Sequence, residues 1–310
     1  MEIHYQLPEQ PFPHSIVTMG IFDGIHLGHQ ALIHTMMREA KEKNGCSVML
    51  TFDPHPKKVL YPDDTSLKMI QTIEEKKTYL QNMGLDHLVI LPFTHEIARL
   101  SAEDFVRQIF VKGLGAKKIF MGYDHRFGKN RLGDFTLMQQ LAPLYSFELA
   151  KIEAVEINES PISSTKIRTA LREGKIAQVN AMLGRNFQIS GRVIHGKKLG
   201  RTIQIPTANL DLENENKFIP KNGVYSAWAY VPGHSQPYAC ALNIGFRPTV
   251  DQELQLHIEA HLLDFNMEIY DQWITLELVD RIREEQKFDS LEILVQQIKK
   301  DIECIRQSLH

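Results

Sequence analysis

The chain has 310 residues, 43% of them apolar and 24% charged, with a formal net charge of −3. Such a length exceeds one ordinary core, so two domains are expected, and the balance excludes both a basic nucleic-acid binder and a disordered chain. No apolar run approaches the ~18 residues of a membrane span, and Cys46, Cys240 and Cys304 are too few and too scattered for a disulfide framework or a zinc site.

Taken in chain order, residues 15–20, 47–52, 87–91, 118–122 and 147–152 read as short buried strands. Helical spacing runs over 29–43, closed by Asn44-Gly45, and over 73–83, opened by a Thr72/Glu75 capping box and stopped by Gly84. A third helix is predicted from Ser101 to the stop at Gly113. This alternation predicts a parallel sheet with helices on both faces, binding ligands at the carboxyl ends of its strands. After Gly184 the pattern changes. Residues 187–193, 223–231, 238–244, 256–262 and 273–279 read as strands parted by Pro, Gly and Asn turns, which predicts a small antiparallel barrel or sandwich. A final helix from Ser290 carries Leu291, Leu294, Ile298, Ile302 and Ile305 in one stripe and is expected to pack on the barrel. The change of period divides the chain into 1–183 and 184–310.

Directly after the first strand stands Gly20-Ile21-Phe22-Asp23-Gly24-Ile25-His26-Leu27-Gly28-His29. Gly24 and Gly28 leave room for a phosphate against the backbone, and the helix start adds N–H donors and a positive dipole end. His26 and His29 flank Gly28, so both rings can donate to one phosphoryl group and stabilise charge developing there. In a chain with 14 histidines such a pair is commonly structural; the strand, glycine turn and helix start set this one apart. At Ile162-Ser163-Ser164-Thr165-Lys166-Ile167-Arg168, Ser164 and Thr165 suit either helix capping or donation to phosphate oxygens, with Lys166 or Arg168 neutralising charge. Between them Gly122 to Lys129, including Asp124, lies at the carboxyl end of a predicted strand.

In the second half, Gly196 and Gly200 sit among lysines and arginines in a stretch that lacks the Walker P-loop ending and reads equally as a solvated loop. Thr207 and Asn209 alternate, so in a strand they share a side; their oxygens suit Mg²⁺, or they are turn residues after Pro206. Glu259 shares a strand face with His257 and His261. That face is either a plain polar surface or the seat of a general base.

Together these segments resemble the bifunctional bacterial riboflavin kinase/FAD synthetases, whose first half belongs to the His-x-Gly-His nucleotidyltransferases. The opening signature is complete from Gly20 to His29, and the Ile-Ser-Ser-Thr-x-Ile-Arg motif is complete from Ile162 to Arg168. Gly122 to Gly128 matches a third motif, with His125 where phenylalanine is usual. Gly200 to Asn209 matches the kinase signature except that Gln204 replaces a glycine; Gly223-Val-Tyr225, Asn243-Ile-Gly245, Glu259 and Arg281-Ile-Arg283 follow in order.

The resemblance implies a Rossmann-like nucleotidyltransferase domain and a riboflavin kinase barrel with a C-terminal helix. It implies a cytoplasmic enzyme acting on riboflavin, FMN and ATP with Mg²⁺, and no nucleic-acid or membrane partner. His26 and His29 would contact the ATP phosphates within a site formed by Gly20, Phe22, Asp23, Gly28, Asp124, Ser164, Thr165 and Arg168. Thr207 and Asn209 would hold Mg-ATP beside Gly196 and Gly200, Glu259 would take the proton from the riboflavin hydroxyl, and Arg283 would lie near the flavin. Gln204 motivates a second reading, an adenylyltransferase with a weakened kinase half. A third is a non-catalytic flavin-binding regulator, which has no need of phosphate-transfer donors.

Overall fold

The structure is a computed structural model. It describes the chain except residues 65, 123–124, 153–154, 158–159, 197–199, 201–202, 204, 213, 215, 249–253 and 310, with backbone alone at 247–248 and 254–255. By contact the chain divides into two units, Met1–Ser164 and Thr165–His310.

The first unit runs β1 (Glu2–His4), β2 (Ser15–Met19), α1 (Leu27–Glu42), β3 (Cys46–Phe52), α2 (Pro56–Leu60), α3 (Ile73–Met83), β4 (His87–Leu91), α4 (His95–Arg99) and α5 (Ala102–Phe105). A π-helical stretch, Val106–Gly113, continues α5; β5 (Ala116–Gly122), α6 (Phe135–Tyr145), β6 (Glu148–Ile152) and the short β7 (Glu156–Ile157) and β8 (Ser160–Pro161) follow. The six main strands form a parallel sheet in the order β1-β4-β3-β2-β5-β6. Period-two alternation sends Val17, Val48, Leu50, Val89, Ile119 and Met121 to one face, where Phe105, Ile109, Phe110, Met138 and Leu141 cover them. Ile16, Met49, Leu88, Ile90 and Phe120 take the other face, under Leu32, Ile33 and Met36 of α1 and Leu80 of α3. The helix over 73–83 begins and ends where its signals place it, with the Thr72/Glu75 capping box formed and Gly84 left-handed at φ 87°. The strand order reverses at β2, which lies between β3 and β5. Open sheets of this kind bind ligands outside the carboxyl ends at such a switch point, so the Gly20–His29 turn leaves the sheet at the place the topology favours.

The boundary falls at the first residue of α7 (Ser164–Glu173), the rest of which lies with α8 (Ile176–Leu183) in the second unit. Next come β9 (Phe187–Ile194), β10 (Ala208–Asp211), β11 (Gly223–Tyr230), β12 (Tyr238–Pro248), β13 (Leu254–Leu262) and β14 (Trp273–Arg283), which close an antiparallel barrel in the order β10-β13-β12-β11-β14-β9. Phe187, Ile189, Val193, Leu242, Ile244, Ile258, Leu276 and Leu278 fill its interior. The C-terminal helix α9 (Leu291–Ser308), capped by Ser290, packs on β11, β12 and β14. Of its predicted stripe Ile305 is fully buried, while Leu291 stays exposed at the first turn. The residue periodicity changes at 183/184, but by contact α7 and α8 lie with the barrel: Lys221 N–H donates to the Leu171 carbonyl, and α8 packs on β14 and β9.

Candidate nucleotide and hydroxyl sites in the two units

After β2 the chain makes a turn that few residues accept. Phe22, Gly24 and Ile25 have φ of 47°, 86° and 39°. Glycine takes that region freely, whereas for bulky or β-branched side chains it costs on the order of 1–3 kcal/mol. Three groups, two of them buried, hold the turn in place. The Asp23 carboxylate, 3% exposed, accepts the Ile70 and Gln71 N–H at 3.1 and 3.2 Å. Lys76 of α3, also 3% exposed, donates from Nζ to the Ile21 carbonyl at 2.6 Å. Ser164 Oγ donates to the Asp23 carbonyl at 2.9 Å, which brings the serine of the second motif to the first.

The turn delivers two imidazoles face to face. The His26 and His29 rings stack with centroids 3.6 Å apart and planes 20° apart, and Phe22 meets His29 edge-on at 5.1 Å. Gly28 serves this stack: a Cβ there would lie 3.2 Å from His26 Cε1 and Nδ1. Gly20 does the same for Phe22, whose ring would stand 3.0 Å from an added Cβ. His29 is held well below the ordinary imidazole value, first by burial, then by the His26 ring and by the Lys76 ammonium. Its Nδ1 is buried with no hydrogen-bond partner among the described residues. A neutral ring with an unsatisfied nitrogen at a helix start is poised for an anionic oxygen. Thr165 and Arg168 lie in α7, in the other unit; Asp124 lies outside the described residues.

Lys76 carries no motif and was not singled out in the sequence. Its one signal is position: on α3 it stands three residues after Ile73 and four before Leu80, a lysine in the buried stripe. Burial pushes its pKa down to about 8, against the opposing pull of Asp23 and Asp53. Between that value and 10.5 the unfolded chain binds more protons than the folded one, so the cost of this charge is full below about pH 8 and fades as pH rises. The stability of the wild type relative to Lys76→Met is therefore expected to climb by on the order of 2–3 kcal/mol between pH 8 and 10.5. Denaturant titrations of both proteins across that range check it; parallel curves would show that the lysine is not desolvated.

In the barrel, strand register assembles a second group. Asn209 of β10 and Asn243 of β12 both stand opposite Glu259 of β13. Their sequence neighbours Leu210, Leu242, Ile244, Ile258 and Ala260 are buried, so alternation turns the three polar residues to the outer face in one row. Thr207 precedes Asn209 by two, and the His261 ring meets the neighbouring Pro206 carbonyl at 2.7 Å from Nδ1. At Gly196 a Cβ would fall 2.3 Å from Asn209 Nδ2, so only glycine lets this amide lie where it does. Gly200 closes the connection: its carbonyl accepts the Ile203 and Ile205 N–H, and a Cβ would strike the Ile205 carbonyl at 2.2 Å. Gln204 lies outside the described residues. Asn243 was read in the sequence only as a landmark; the signal that promotes it is pairing, which one sequence does not reveal.

Arg283 is not part of that row. Its Nε and Nη2 donate to the Asp301 carboxylate of α9 at 2.8–3.0 Å, Nη1 donates to the Glu284 carbonyl, and the guanidinium lies over Phe288. Asp301 is buried and also accepts from Gln297, so the arginine fastens β14 to the helix.

Comparison with known proteins follows the same division. The family described as FAD synthetase matches residues 9–166, and the family described as riboflavin kinase matches 183–309. A bifunctional riboflavin kinase/FMN adenylyltransferase of Pseudomonas fluorescens is 35% identical over 291 residues, 94% of this chain and 92% of the relative. One from Escherichia coli K12 is 36% identical over 297 residues, 96% and 93% of the two chains. A crystal structure described as a macrolide-efflux protein from Streptococcus pneumoniae superimposes with a TM-score of 0.87 at 32% identity, covering 98% of each chain.

Proposed function

Because the chain belongs to the family of bifunctional riboflavin kinases/FMN adenylyltransferases, we infer that the stacked histidines and the Asn209–Glu259–Asn243 row are its two reaction sites. The enzyme phosphorylates riboflavin to FMN and adenylylates FMN to FAD, each step consuming ATP. We assign the second reaction to residues 1–183 and the first to 184–310.

In adenylyl transfer the FMN phosphate oxygen forms a bond to the α-phosphorus of ATP while the bond to pyrophosphate breaks. FMN supplies its own oxyanion, so the protein needs alignment and charge stabilisation rather than a nucleophilic side chain. The observation that carries this reading is the His26/His29 stack, with its buried unsatisfied nitrogen, at the reversal point of a parallel sheet. His26 and His29 receive phosphate oxygens, and Ser164, bonded to the Asp23 carbonyl, holds the turn that presents them. Asp23 acts indirectly, because its oxygens are already occupied in fixing the turn.

In the kinase reaction Glu259 accepts the proton of the riboflavin 5′-hydroxyl as that oxygen attacks the γ-phosphorus and ADP leaves. Thr207 and Asn209 offer hard oxygen donors, which fit Mg²⁺, and Gly196 leaves the room that the Asn209 amide occupies. When bound, that ion neutralises phosphate charge. Arg283 contributes by fixing the barrel to α9.

Cys46, Cys240 and Cys304 are all free thiols, which supports a reducing, cytoplasmic setting. No helix among the described residues is long and apolar enough to cross a membrane. The efflux role in the pneumococcal structure's description is not carried over, since both constellations here are built for phosphoryl chemistry.

The deciding experiment incubates the purified chain with riboflavin, ATP and Mg²⁺ and separates the products. FMN followed by FAD is expected. FAD arising only from added FMN would remove the kinase assignment, and no product from either flavin would leave a flavin-binding regulator.

A further inference from the structure

Away from both sites, three potential ligand atoms converge on the edge of the parallel sheet. Glu2 and His4 alternate along β1 and so share a face, and Glu2 stands opposite His87, the first residue of β4. His4 Nε2 lies 3.3 Å from His87 Nδ1, His87 Nδ1 lies 3.4 Å from Glu2 Oε2, and Glu2 Oε2 lies 3.8 Å from His4 Nε2. A tetrahedral Zn²⁺ with bonds of about 2.0–2.2 Å needs ligand atoms roughly 3.3–3.6 Å apart. Two of the three edges already have that length, and the third, at 3.8 Å, involves the exposed Glu2 carboxylate.

We propose that Glu2, His4 and His87 form a binding site for Zn²⁺ or a first-row ion of similar ligand preference. Two imidazoles and one carboxylate select such ions over Mg²⁺, which demands an octahedron of oxygens. The rings are preorganised: Phe12 stacks on His87 at 4.3 Å and 25°, and meets His4 edge-on at 5.2 Å. Three protein ligands leave a fourth position for water on the solvent side. Because His87 opens β4, the cluster sits toward the amino ends of the strands, away from the nucleotide turn at their carboxyl ends. Bound metal therefore acts on the fold: bridging β1 and β4 on one face, it pins a three-residue edge strand to the sheet.

The test uses the tag-free full chain, stripped with chelator and desalted, and titrated calorimetrically with Zn²⁺ alone in the presence of excess Mg²⁺. One site per chain is expected, with an unfolding midpoint that rises with Zn²⁺ concentration. With Co²⁺ as probe, the visible absorption of a tetrahedral complex is expected at the same stoichiometry. With 14 histidines in the chain, variants must locate the site. The His4→Gln/His87→Gln double variant is expected to lose the site while still forming FAD at the wild-type rate, which reports that it is folded. Glu2→Gln, which leaves both rings in place, is expected to weaken binding by more than the roughly 10–100-fold that loss of an outer partner costs. Absence of the site in the wild type, or its survival in the double variant, would overturn the proposal and leave His4 and His87 as a hydrogen-bonded pair.

Discussion

His29→Ala is expected to slow conversion of FMN and ATP to FAD by about 10²–10³-fold, while riboflavin is still phosphorylated at the wild-type rate. The size follows from what the ring loses. Its Nδ1 has no partner among the described residues, so the strongest hydrogen bond available to it is one to a ligand. Its charge state is also set in advance: burial, the stacked His26 and the Lys76 ammonium all disfavour the imidazolium. An arriving triphosphate reverses that balance, so the ring gains interaction as negative charge accumulates. Alanine removes this donor but leaves Phe22, Gly28 and the turn in place. His29→Gln is the control, since its amide restores a donor without a titrating ring; partial rescue with a flattened pH profile separates a charge-stabilising role from a packing one. Measuring both half-reactions on each variant decides the matter, and undiminished FAD synthesis in His29→Ala would remove the histidine pair from the reaction.

What could be seen in the sequence, and what could not, has a physical pattern. Local signals were legible: the Thr72/Glu75 box starts α3, Gly84 stops it, and Ser290 caps the last helix as its spacing predicts. The Gly20–His29 turn was legible because strand, glycines and helix start are contiguous in the chain. Long-range relations were not. Barrel closure and the register that sets Asn243 and Asn209 opposite Glu259 depend on pairings between distant segments. The three-residue β1 and helices α6 and α8 escaped for the opposite reason, being too short or too weakly patterned to outweigh their loop-like neighbours. Gly28 carries a further role that spacing does not reveal, since its missing Cβ makes room for the His26 ring. Arg283 shows the remaining difficulty, because whether a cation faces solvent, ligand or a buried carboxylate such as Asp301 is a tertiary fact.

Glu259→Gln is expected to lower FMN formation by about 10²–10⁴-fold and to spare adenylylation of supplied FMN. Glutamine keeps the volume of the side chain and one carbonyl acceptor, so the β10–β13–β12 pairing and the outward row with Asn209 and Asn243 persist. What it lacks is basicity. A primary hydroxyl is a poor nucleophile at neutral pH, and without a carboxylate beside it the proton must leave to water. Asn209→Ala provides the contrast: it leaves the base in place but removes an oxygen donor from the phosphate side, so its defect should fall as ATP is raised, whereas that of Glu259→Gln should not. A normal kinase rate in this variant would take Glu259 out of the proton transfer, while parallel loss of both activities would mark a folding defect rather than a missing base.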